Sequence, residues 1–118
     1  LPVLPEPYAG DPQQCGAWDG SHVEIAGAAA AAAARAITPY LLRLRQSDPR
    51  HRLQPGDLIL VSQEYDGQHE IGIARQPDRC CLVRRGDQQQ WVALETDVPL
   101  SEEVEIVAQC LGVVWRKL

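Results

Sequence analysis

Leu53-Gln54-Pro55-Gly56-Asp57-Leu58-Ile59-Leu60-Val61 decides how this chain reads. Pro55-Gly56-Asp57 is turn chemistry, because proline presets one backbone angle, glycine accepts the other and aspartate bonds its own backbone. The four apolar residues after it are too few for a helix and suit a strand covered on both faces. Upstream, Leu42 and Leu44 alternate with Arg43 and Arg45 as strand residues do. Downstream, Asp66-Gly67 turns the chain into residues 69–75, where Ile71 and Ile73 alternate. Further strands are expected at Cys80–Arg85, at 90–95 after a Gly86-Asp87 turn, and as a final pair at 104–108 and 111–116.

The N-terminal third reads differently. Residues 1–20 carry Pro2, Pro5, Pro7 and Pro12 with Gly10, Gly16 and Gly20, which no regular helix accommodates, so an extended arm is expected. His22-Val23-Glu24-Ile25 alternates like a short strand, and the alanines Ala28 to Ala34 follow. Alanine has the best helix propensity, so 28–37 reads as a short helix, ended by the restriction Pro39 places on Thr38. A low-complexity linker is the other reading of the alanine run. About seven short strands with one brief helix give a mainly β class, as a partly open β-barrel of hairpins or a sandwich. The division is an arm, 1–20, and a β domain, 21–118.

With 118 residues the chain holds one core, built from Leu, Val, Ile and Ala because Phe and Met are absent. The missing initiator methionine reads as a fragment or processed form, with a neighbouring domain removed. A formal charge of -5 argues against sequence-independent nucleic-acid binding, which needs clustered Lys and Arg. The arginines at 43, 45, 50 and 52, and at 79, 84 and 85, read as solvated strand faces. No apolar run approaches the roughly 18 residues of a membrane span. Cysteines 15, 80, 81 and 110 show no metal spacing and read as reduced thiols, pointing to the cytoplasm. No cofactor, phosphate-loop or metal motif is present, and His22, His51 and His69 are scattered as surface or turn residues are.

One ordered set of features says more. It runs Ala9-Gly10-Asp11-Pro12, Leu41-Leu42-Arg43-Leu44, Ser47-Asp48-Pro49, the Leu53 to Val61 stretch, Ile73-Ala74-Arg75 and Leu82-Val83-Arg84-Arg85. It closes with Val104-Glu105-Ile106-Val107 and Leu111-Gly112-Val113-Val114-Trp115-Arg116. In order and spacing, over nearly the whole chain, this resembles the C-terminal domain of the LexA and phage-repressor family of self-cleaving serine-lysine peptidases.

The resemblance implies a LexA-like fold, a cleavable bond at Ala9-Gly10 and a nucleophile at Ser47. It places Arg84 where the family has its general-base lysine. A hydroxyl attacks only after a base takes its proton, and arginine gives up its own at no ordinary pH. Asp48 and Gln46 replace the residues that normally flank the serine. The chain's only lysine is Lys117. Read without the resemblance, Ser47-Asp48-Pro49 is a common turn.

The resemblance therefore implies a regulatory and dimerisation domain of a transcriptional regulator that has lost self-cleavage. Its homodimer interface would use Val113, Val114 and Trp115. DNA would be contacted only through a separate N-terminal domain, and a recombinase filament is a candidate partner. Two alternatives stand beside this: an active autopeptidase using another base, such as His51 or Glu64, and a plain β-barrel binding module. Ala26-Gly27, a second Ala-Gly, lies too close to Ser47 to match the family spacing.

Overall fold

The structure, a computed structural model, describes residues 1–116; Lys117 and Leu118 lie outside the described residues. Seven strands form one mixed sheet: β1 (Val3–Leu4), β2 (Tyr40–Arg43), β3 (Leu58–Ser62), β4 (Ile71–Arg75), β5 (Cys80–Arg85), β6 (Trp91–Ala93) and β7 (Glu105–Trp115). One helix, α1 (Gly27–Arg35), joins them. The order across the sheet is β1-β2-β3-β7-β4-β5-β6, and only the β1-β2 pair is parallel. The chain is mainly β, as its pattern implies. In place of the expected partly open barrel or sandwich, the strands form one sheet that does not close into a barrel: β1 and β6 stand at opposite edges and do not pair with each other.

Every residue of β3 is buried, because the sheet is covered on both sides. On the inner side Ile59 and Val61 pack with Tyr40, Leu42, Leu44, Ile73 and Leu82. On the outer side Leu58 and Leu60 pack with Leu41 under Ala32 and Ala33 of α1. The helix begins one residue before the alanine run and ends two residues short of Ile37; Ala36 is already extended and Thr38, before Pro39, has φ +43°.

Two expected strands, 104–108 and 111–116, are one. β7 pairs with β4 through Glu105 to Gln109 and with β3 through Gln109 to Trp115. Gln109, which looks like a break in the apolar pattern, is buried and accepts the Asp66 amide at 2.9 Å. Gly112, at φ +139°, lies beside one of the register shifts that let so long a strand follow the twisting sheet. Gly72 permits the close β4-β7 approach, since a Cβ there would stand 3.0 Å from the Ala108 carbonyl.

The arm is less uniform than expected. It supplies β1, then a short 3-10 turn at Pro12–Gln14 capped by Asp11. Residues 22–25 form no strand beyond a single bridge from His22 to Pro2, and this segment covers the β1 edge through Val3 N–H to Ser21 O and Val23 N–H to Leu1 O, both 2.9 Å. The β6 edge is covered in turn by Val98 and Leu100. No helix among the described residues is long and apolar enough to cross a membrane.

Candidate functional site

The sheet curls until the chain after β2 faces β5, although three strands lie between β2 and β5 in the hydrogen-bonded order. The resulting seam is a groove of about 620 Å³, bordered by Leu42 to Gln46, by Cys80 to Leu82 and by arm residues Pro5 to Ala9.

At one end of the seam lies the Ser47 loop. Asp48 and Leu53 exchange backbone hydrogen bonds of 3.0 and 2.9 Å around the 3-10 turn Pro49–His51, which closes with Arg52 left-handed at φ +57°. This tight turn buries the Asp48 carboxylate, leaving Ser47 exposed and without a hydrogen bond among the described residues. Asp48 Oδ2 lies 2.9 Å from His51 Nδ1, within hydrogen-bond reach. Arg84 reaches the same loop: its Nε is 4.0 Å from Asp48 Oδ2, while its Nη2 donates to Asp97. Arg50 bridges the loop to Asp87 in the β5-β6 turn at 3.1 Å.

Adjacent residues of a strand face opposite ways, so Arg85 leaves β5 on the other side. There its guanidinium carbon stands 4.8 Å from the Trp91 ring centre and an Nη donates to the Tyr65 hydroxyl. Of the two arginines, Arg84 alone meets the Ser47 loop.

At the other end of β2 the arm is latched. The Tyr8 amide donates to the Tyr40 hydroxyl at 3.0 Å, and that hydroxyl donates back to the Tyr8 carbonyl at 2.7 Å. Gly10, at φ +123°, presents both its amide and its carbonyl to the Gln63 side chain at 2.6 Å each, and Gln63 also donates to Thr38 O at 2.9 Å. Ala9-Gly10 is thus held at the Tyr40 end, and the described arm makes no hydrogen bond with Ser47. Ala26-Gly27 lies at the start of α1, and Glu64 sits past the end of β3 with Ser62 Oγ 3.4 Å away.

Burial pushes the Tyr40 phenol far above its ordinary range, so it remains a hydrogen-bond donor in alkaline solution. The four cysteines are unpaired. Burial raises the Cys80 and Cys81 thiols and takes Cys110 up to about 12, which disfavours nucleophilic thiolate in each. Among the described residues no group of three His, Cys, Asp or Glu is placed to hold a metal ion.

The residues expected at a dimer interface divide. Val113 and Trp115 are exposed, 37% and 47%, beside an open hollow shared with His51 and Arg52. Val114 is half-buried and packs against the outer cluster of Leu41, Leu58 and Leu60.

Two contributors carry no sequence signal. Gln63 is a polar residue after a strand whose partners lie 25 and 53 positions away. Asp97 reaches Arg84 from a covering loop, at φ +58°. No protein-family model, no curated protein and no solved structure matches the chain.

Proposed function

We propose that this is a LexA-like regulatory and dimerisation domain of a cytoplasmic transcriptional regulator, one that does not cut itself. The observation that carries the reading is the placement of Arg84 against the loop of Ser47, held between Asp48 and Asp97. Arginine keeps its proton at any ordinary pH, so a guanidinium in the base position has no capacity to take the serine proton. Ser47 keeps the nucleophile's place without an activating partner.

The homodimer of this reading uses the exposed Val113 and Trp115, which line one hollow at the end of β7. Exposed apolar residues that neighbour one another on a strand end are the kind of surface a two-fold partner covers. DNA contact belongs to a separate N-terminal domain, and a recombinase filament remains a partner to test. The experiment is sedimentation equilibrium of the chain and of a Val113→Glu, Trp115→Glu variant. The reading expects about twice the 13.0 kDa chain mass for the parent and a single chain for the variant. A parent that stays monomeric at high concentration overturns the dimerisation role.

The active-autopeptidase alternative has one observation in its favour, the Asp48-His51 pair, which orients an imidazole as a base would be oriented. Ser47 makes no hydrogen bond to it among the described residues.

A further inference from the structure

The edge of β2 is unfinished. In the parallel β1-β2 pair, Leu41 N–H donates to Pro2 O at 2.9 Å, so the odd-numbered residues here turn their backbone groups toward the arm. Leu44 turns the other way, donating to Asp57 O at 2.8 Å and accepting from Gly56 N–H at 2.7 Å. The next groups facing the arm are those of Arg45, and the arm does not meet them. β1 ends at Leu4; Pro5 and Pro7 have no amide hydrogen, and Glu6 donates none to Arg43. Among the described residues the amides of Arg45, Gln46 and Ser47 find no acceptor in the chain.

This free edge borders the 620 Å³ groove rather than open surface. Leu42 and Leu44 point into the core on the inner side of the sheet, and Leu82, Ala93 and Leu100 supply apolar lining across the groove. Arg43 and Arg45, two residues apart, are exposed and form no ion pair among the described residues. Of the groove's carboxylates, Glu95 is paired with Arg79 at 3.7 Å, leaving Glu6 and Asp78.

We infer that the groove takes an extended peptide of alternating acidic and apolar residues from a partner protein, added as a strand to the β2 edge at residues 43–46 and held without being cut. Backbone hydrogen bonds to Arg45 supply affinity that ignores sequence, and the two-residue period of a strand sorts the side chains. Apolar positions face Leu42 and Leu44, and acidic ones meet Arg43 and Arg45. The inference stands on the edge and groove alone, and dimerisation through β7 succeeds or fails independently of it.

The test is amide NMR of the whole chain titrated with acetyl-Val-Glu-Val-Glu-Val-amide. Controls are the peptide with lysine for glutamate and a version N-methylated on alternate amides. The expected result is saturable shifts and slowed exchange centred on the amides of Arg45, Gln46 and Ser47. The acidic peptide is favoured over the lysine peptide by about tenfold, the scale of two exposed ion pairs, and methylation abolishes binding. An Arg43→Glu, Arg45→Glu variant reverses the charge preference; its unchanged core amides certify the fold. No saturation at millimolar peptide, shifts centred elsewhere, or equal binding of the lysine or methylated peptide overturns the inference.

Discussion

The two ends of the groove are closed by different chemistry. At the Ser47 end the contacts are charged: Asp48 with His51 and Arg84, Arg84 with Asp97, Arg50 with Asp87. At the arm end they are neutral, made by a phenol and an amide with the backbone of Tyr8 and Gly10. Exposed ion pairs are screened by salt, whereas neutral hydrogen bonds are not. Under the proposed reading, this difference is what would keep Ser47 and Ala9-Gly10 from reacting: one end offers an arginine in place of a base and the other holds the peptide at Tyr40 and Gln63.

The largest effect is expected where the charged end is anchored. Asp57, 1% exposed, accepts the Gln54 amide at 2.9 Å and two bonds from Arg116, at 2.9 and 2.8 Å, while its own carbonyl receives Leu44. Asp57→Ala costs about 2–3 kcal/mol by urea unfolding, the scale of lost charge-assisted bonds to a partly exposed arginine. The Arg116 bonds hold the Asp57 carboxyl below its ordinary value. Its contribution is therefore complete above the unfolded aspartate value of about 3.9 and drains away as pH falls through the lower folded value. Asp57→Asn flattens that part of the acid limb.

Next comes the neutral end. Tyr40→Phe strands both backbone groups of Tyr8 and costs about 1–2 kcal/mol, with faster hydrogen exchange at Tyr8 and Gly10. Because burial keeps the phenol protonated, the parent's arm protection persists to pH 10. Gln63→Ala has a smaller and local effect, about 0.5–1 kcal/mol, read as protease sensitivity around residues 8–11 with the β3 amides unchanged. Smallest is Arg50→Ala. Its pair with Asp87 is exposed on both sides, 57% and 86%, and exposed pairs contribute little, so thermal unfolding stays where it was.

Much of the sheet was legible because burial on alternate or successive positions leaves a direct trace. The run from Leu58 and the span Cys80–Arg85 are strands at or within one residue of the expected bounds. β7 was legible as apolar but not as one strand, since Gln109 mimics a break until its buried acceptor role is seen. How the two edges are covered could not be read, because residues 21–23 lie beside β1 with only a single bridge despite the alternation at 22–25, and residues 98–100 carry no strand pattern. At the candidate site, Arg84 stands 4.0 Å from Asp48 of the Ser47 loop, a contact the strand pattern alone does not specify. The latch was invisible, because Gln63 acts on a glycine 53 residues away through a side chain with no periodic or motif signature.

The central claim is that Arg84 leaves Ser47 without a base. Its most direct test is the intact mass of the chain, and of a Ser47→Ala variant, followed for a day at pH 7 and pH 10. The account predicts that both remain whole at both pH values. A cut between Ala9 and Gly10 in the parent that is absent from Ser47→Ala would contradict it, and would point to the Asp48-His51 pair as the base.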